Sequence, residues 1–306
     1  MQRFLRSYGL LMVFAVGFVF LFAFSHNFRN PQNLLNLLQQ ISVNGIIACG
    51  MTLMIISGGF DLSVGATAAL AGMVAAALFL RTTIPLGMFG GLAAALAVGL
   101  INGLLIAKVG INPFVATLGM QIVTRGLLFI STNATPIYGL PPAYMNVGLG
   151  SIGPFPIAST TFALVAALAH VLLRHTLFGQ HLLAVGGNQE AARLSGVNVE
   201  RVKMGVYALG GVLAGLGGLI LLGQTNTGQP QAASGYELNA IAAAVVGGTP
   251  LTGGQGSIFN TVIGVLLLGM IANALNLFNV SPYWQPAVTG LIILTAVGFD
   301  TMGKRR

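Results

Sequence analysis

The chain holds few residues able to do bond chemistry, and their spacing supports none. His26, His170, His175 and His181 are scattered, and none has an acid at metal-ligand or catalytic spacing. Cys49 is alone, which excludes an internal disulfide and a cysteine metal site. Gly148-Leu149-Gly150-Ser151-Ile152-Gly153 has the glycine spacing of a dinucleotide loop, but Pro154 and Pro156 follow it and no strand-helix unit surrounds it. Gly298 to Gly303 followed by Lys304 imitates a phosphate loop until Arg305, where a metal-binding Ser or Thr belongs, and the stretch closes an apolar segment. No catalytic residue, metal site or cofactor is expected in the chain itself.

Polar side chains inside apolar segments suggest a different chemistry. Gln40, Asn44 and Thr52 recur at multiples of four with small Ala48 between them, so they share one helical face. Thr117, Gln121, Thr124 and Arg125 do the same on a second segment. Two such stripes would line a wet seam for a polar solute, or would bond helix to helix at ~0.6 kcal/mol each. At ~1.5 Å per residue, Gln121 lies about 12 Å and Arg125 about 18 Å from the start of that helix. An unpaired charge at such depth costs at least ~2.5 kcal/mol, which snorkelling or pairing with Glu237 would relieve. Asp61 and Glu237 stand at predicted helix starts, where unpaired N–H groups favour a carboxylate; the alternative is a hinge or gate contact.

The elements that carry these residues are membrane helices. Charged residues make up 6% of the 306 and hydrophobic ones 55%, too little polar surface to clothe a soluble globule. Forty-three glycines fit close backbone packing in a bilayer. Spanning needs ~20 mostly apolar residues. Such segments recur at 8–25, 34–57, 63–80, 84–107, 113–131, 157–174, 203–223, 257–278 and 285–301, and a short one at 237–248 reads as a half-helix or re-entrant piece. The expected fold is therefore all-α, a polytopic membrane protein of about ten transmembrane helices forming one domain over residues 1–306.

Arg3 and Arg6 before the apolar run Tyr8 to Phe24 resemble a signal peptide, but the many further spans make an uncleaved first helix the expectation. With both termini inside, Arg3, Arg6, Lys108, Arg174, Arg193, Arg201, Lys203, Lys304, Arg305 and Arg306 fall on the cytoplasmic side and only Arg29 and Arg81 outside. This asymmetry accounts for the basic excess, and no basic run is interleaved with exposed aromatics, so no nucleic-acid partner is expected. Ser131 to Pro156, uncharged and rich in Pro, Gly, Asn and Tyr, reads as an ordered external loop. Residues 175–201 form the cytoplasmic one.

The two parts of the chain echo each other. Setting Asn102 on Asn273 aligns Leu104 with Leu275, Val109 with Val280, Gly119 with Gly290, Ile122 with Ile293 and Thr124 with Thr295. A Gly-aromatic-acid-Leu tetrad precedes each block, Gly59-Phe60-Asp61-Leu62 and Gly235-Tyr236-Glu237-Leu238. The topology puts the first tetrad at the cytoplasmic face and the second outside, so the halves are expected to be inverted repeats.

In the cytoplasmic loop, Gly186 to Gly196 contains a short helix-forming stretch with an Asn to cap it and a Gly to end it. It is either a docking helix with small faces or a plain connector. Glu190-Ala191-Ala192 with Gly196 resembles the coupling motif of ABC importer permeases, and the wording Gly-Gly-Asn-x-x-Ala-Ala-Arg-x-Ser-Gly-Val is similar to the ribose-type sugar branch. Gly50-Met51-Thr52-Leu53 through Gly65, Phe114-Val115-Ala116-Thr117-Leu118, and Gly235 to Ala243 with Val246-Gly247-Gly248 are similar to that family too, with Phe60 where Ile is commoner.

The resemblance implies an inner-membrane permease that pairs with a second copy or a paralogue, docks a cytoplasmic ABC ATPase through Glu190, Ala191, Ala192, Arg193, Leu194, Ser195 and Gly196, and receives sugar from an extracytoplasmic binding protein. ATP and Mg would be held by the ATPase, and the permease itself would do no bond chemistry. The rival readings are a permease of a related ABC importer for branched-chain amino acids, a secondary transporter, and a membrane-embedded lipid enzyme, against which His170 lacks an acid partner.

Overall fold

The computed structural model describes residues 2–281 and 283–304; Arg305 and Arg306, placed above on the cytoplasmic side, lie outside the described residues. Its helices are α1 (Gln2–Phe24), α2 (Pro31–Ile56), α3 (Val64–Phe79), α4 (Ile84–Ala107), α5 (Pro113–Thr132), α6 (Met145–Leu149), α7 (Ile157–His175), α8 (Leu177–Gly187), α9 (Gln189–Leu194), α10 (Val199–Thr225), α11 (Tyr236–Val246), α12 (Ile258–Leu277) and α13 (Trp284–Lys304). Six of them, α2, α4, α5, α7, α10 and α12, are long and apolar enough to cross a membrane, and Gly9–Phe24, Val64–Phe79 and Tyr236–Val246 are shorter apolar helices. Ten helices match the ten segments expected, α11 being the short one. The 131–156 connection is ordered, through a 3-10 turn at Pro142–Tyr144, α6 and a two-residue hairpin pairing β1 (Ser151–Ile152) with β2 (Phe155–Pro156).

Local chemistry sets where the helices begin. Proline opens α2 and α5, where its missing N–H has no intrahelical partner to lose, and the preceding Asn30 and Asn112 accept the N–H groups of Gln32 and Phe114, each at 2.9 Å. Asn198 and Ser257 cap α10 and α12 in the same way.

The shift that carries Asn102 onto Asn273 also carries α2 onto α10, α3 onto α11, α4 onto α12 and α5 onto α13 to within a few residues at each end. Packing follows the same rule: α10 lies against α3 and α4, while α2 lies against α11 and α12. The halves run in opposite directions. Along α2, Gly50 faces Gly210 and Leu213 of α10, Gly217 of α10 faces Val43 and Ile47, and Gln224 near the end of α10 donates to the Gln39 carbonyl. The first helices of the two repeats are thus antiparallel, which is the inversion expected. Small residues allow the approach: a Cβ on Gly218 would collide with the backbone of Ala68, and one on Gly211 with that of Ala95.

Each half contains a helix too short to span. The connection before α3 and the one before α11 fold back into the bundle, so α3 and α11 start inside it. At one end of the bundle meet the end of α2, α8 and the α11–α12 connection, near Lys203 and the bend between α4 and α5. At the other end Gln39 donates to the Gly148 carbonyl, and Ile137 pairs with Gly228.

Candidate functional site

The 175–201 connection holds two helices where one was expected. Thr176 caps α8 through a bond from the Gly179 N–H, and Asn188 caps α9 by accepting the Ala191 N–H at 2.9 Å. Gly196 ends α9 at φ 87°, a left-handed conformation that strains any residue with a Cβ. Glu190, Ala191, Arg193, Leu194, Ser195 and Gly196 are exposed, and Leu194 shows 82% of its surface, a large apolar side chain outside every span. Ala192 is the exception. It is buried in the same apolar cluster as Leu182, Val185, Val199 and Val202, so its small size serves the chain's own packing and not the approach of a partner. Lys203 of α10 donates to Gln189 at 2.7 Å and ties α9 to the following span.

Beneath α9 three backbones touch. The Gly254 N–H donates to the Ile56 carbonyl at 2.9 Å, and a Cβ on Gly186 would strike both Ile56 and Gly254. The end of α8 is therefore wedged between the end of α2 and the connection leading from α11 to α12. Movement of α8 and α9 has a direct mechanical route to both.

The two acids occupy equivalent places in the repeats but different surroundings. Asp61 is buried, and its Oδ1 accepts the Ser63 N–H at 2.7 Å and the Ser63 hydroxyl at 2.6 Å, while Oδ2 accepts from Asn102 at 3.1 Å. The next residue, Leu62, donates its N–H to Thr117 at 3.1 Å. Glu237 accepts one bond, from Gln121 at 3.2 Å on Oε1, and its buried Oε2 has no hydrogen-bond partner. That oxygen lies against Gly65, at the start of α3. The acids therefore do not sit at opposite faces, as the simple topology predicts: Thr117 and Gln121 are one helical turn apart, so the tetrads they hold converge in depth. The re-entrant connections bring them together, a feature a count of crossings does not contain.

Arg125 is half-buried and does not pair with Glu237 through a direct salt bridge. It donates to the carbonyls of Pro230 and, at 3.0 Å, Ala232, in the connection before α11. Thr124 is buried on the same face. The α5 stripe of Thr117, Gln121 and Arg125 thus bonds to the two folded-back connections.

The α2 stripe divides. Thr52 is buried, donates to the Ala48 carbonyl and shares a 2.8 Å bond with Thr261 of α12. Gln40 and Asn44 open onto a cavity of about 470 Å³ between α2, the start of α11, α12 and α13, together with Ser234, Tyr236, Asn239 and Thr289. No lining residue is charged. The sequence singles out Tyr236 and Asn239 only within the stretch Gly235 to Ala243 that carries the resemblance, not as pathway residues; their spacing of three on α11, beside an expected half-helix, is the signal that could have found them.

Comparison with known proteins agrees with this architecture. The family model for the permease component of branched-chain amino acid transport systems matches residues 33–297. The chain is 44% identical over 277 residues to the ribose import permease protein of Bacillus subtilis (strain 168), covering 90% of this chain and 86% of that protein. It is 43% identical over 281 residues to the ribose import permease protein of Escherichia coli (strain K12), covering 90% and 88%. To the L-arabinose transport system permease protein of the same strain it is 40% identical over 297 residues, covering 96% and 90%. No solved structure matches the chain. A match across nearly the whole length places the chain in the family of transport-system permease components that includes the ribose and arabinose import permeases.

Proposed function

We propose that this chain is the translocation subunit of an ATP-driven importer for a small neutral sugar of the pentose class. The observation that carries it is the uncharged polar cavity, in a chain whose extended similarity is to ribose and arabinose permeases. An amino acid would bring an ammonium and a carboxylate, and burying either without a counter-charge is costly. That disfavours the branched-chain amino acid alternative.

In this reading Gln40 and Asn44 mark the path, while Thr117, Gln121, Thr124 and Arg125 belong to the α5 face that holds the re-entrant connections, and Thr52 fastens α2 to α12. A separate cytoplasmic ATPase, which holds the ATP and Mg, docks on α9. Leu194 is the anchor, flanked by Glu190, Ala191, Arg193 and Ser195, with Gly196 ending the helix. The charge asymmetry of the connections supports a cytoplasmic position for that end and for both termini. Force enters at α9, passes through Gly186 to the Gly254 connection, and reaches α11, whose other end lines the cavity. The opposite end of the bundle receives a sugar-binding protein, and the permease works as a pair in the bacterial inner membrane.

Reconstitution tests this reading. The chain, in liposomes with its ATPase and binding-protein partners, is expected to accumulate ribose or arabinose only when ATP is supplied. Uptake driven by a proton or sodium gradient without any ATPase would make it a secondary transporter instead.

A further inference from the structure

We propose that the cavity between α2, α11, α12 and α13 is a saturable recognition site for a neutral aldopentose within the permease itself, so that this subunit selects its cargo as well as conducting it. The inference rests on the sugar-importer reading and adds to it a site and a selectivity.

Most buried polar side chains elsewhere in the bundle make at least one hydrogen bond, Thr249 excepted, although Asn102 Oδ1 and Glu237 Oε2 are left over. Asn33 and Asn273 bond each other at 3.2 and 3.0 Å, Asn102 holds Asp61 and Ser63, and Gln121 holds Glu237. Around the cavity three amides, Gln40, Asn44 and Asn239, make no side-chain hydrogen bond among the described residues. Asn44 Oδ1 is buried without a hydrogen-bond partner, although such an atom costs ~1–3 kcal/mol when nothing satisfies it. Gln40, Tyr236 and Asn239 face the same space. Each amide carries donors and an acceptor, and a sugar hydroxyl is both at once, so three amides and a phenol can meet the alternating hydroxyls of a pentose. Ile41, Val265 and Leu268 supply apolar wall for its C–H faces. The volume, about 470 Å³, lies within the ~300–1,000 Å³ of small-molecule sites. Broken helices meeting at a repeat interface are also where transporters hold cargo.

The test is equilibrium binding of tritiated ribose and arabinose to the purified full chain in nanodiscs, without the binding protein, and the uptake assay run on the same preparation. Saturable binding is expected, displaced by the unlabelled pentose and not by leucine, and weakened at least tenfold in Asn44→Leu and Asn239→Leu. A conservative Asn44→Gln, which keeps the amide, is expected to retain part of the binding, so loss through misfolding is distinguishable from loss of the contact. A preparation that imports pentose with its partners yet shows no saturable binding alone overturns the recognition site and leaves the importer reading standing. Equal binding by wild type and both leucine variants overturns its placement. Failure of the reconstituted system to import any sugar overturns the importer reading, and the site falls with it.

Discussion

The two halves of the bundle start from the same plan and end in different states. Before α3, Asp61 is saturated by Ser63 and Asn102, and Thr117 holds the adjoining backbone. Before α11, the equivalent acid Glu237 has one partner and an unsatisfied oxygen, and the flanking Tyr236 and Asn239 face a cavity. Asn273, the counterpart of Asn102, has turned away to Asn33 of α2. A well-bonded buried network rigidifies, even with Asn102 Oδ1 left over, whereas an acid with one partner is more easily rearranged. On this ground we propose that the α3 half is scaffold and the α11 half the moving part; the wedge at Gly186 touches both, through Ile56 and Gly254, so the difference lies in how each half is bonded and not in which one meets α8.

Four substitutions probe that assignment. The largest effect is expected from Asp61→Ala, which takes the acceptor from the Ser63 N–H, the Ser63 hydroxyl and one of the two Asn102 amide bonds, the other going to Ser63. At ~1–3 kcal/mol for each buried orphan, folded protein should be largely lost, read as the monodisperse fraction in size-exclusion chromatography. Next, Ala192→Leu overpacks the α8–α10 cluster and should destabilise the permease by ~1–3 kcal/mol, seen as a lower Tm without any partner present. Its neighbour separates docking from packing: Leu194→Ser should leave Tm unchanged and weaken ATPase binding roughly tenfold, about 1.4 kcal/mol, in a titration of the purified subunits. Smallest in stability is Glu237→Gln, whose single bond Gln121 can keep. Its Tm should move little, while uptake falls through altered gating. Similar destabilisation in Asp61→Ala and Glu237→Gln would erase the distinction between the halves.

Much of this was legible in the residue pattern because membrane helices are governed by length and hydropathy. The α4 segment was placed at its observed bounds, and the Asn and Gly around α9 announced its cap and its end. What the pattern concealed depended on tertiary contact. That Ala192 faces inward and Leu194 outward is set by the way α9 lies on α8 and α10, and six residues are too few for periodicity to reveal it. The wedge of Gly186 against Ile56 and Gly254 joins three segments remote in sequence. The sequence offers Arg125 snorkelling or a pair with Glu237, and neither alternative includes the backbone carbonyls of the folded-back connection that take its hydrogen bonds. The sequence reads 237–248 as a half-helix or re-entrant piece yet puts Glu237 at the outer face, because a count of spans does not show how deep the connection before it reaches.

The central claim is that ATP-driven motion enters at α9 and is expressed in the α11 half while the α3 half stays fixed. Pulsed electron resonance tests it on a Cys49→Ala background, with one label at exposed Ile122 of α5 and the other at Leu238 of α11 or Ala77 of α3. Spectra are compared with and without trapped nucleotide in the complex with the ATPase. The account predicts that the Ile122–Leu238 distance distribution shifts on trapping, that the Ile122–Ala77 distribution does not, and that Leu194→Ser abolishes the shift. A shift confined to the Ile122–Ala77 pair, or one that persists undiminished in Leu194→Ser, would contradict it.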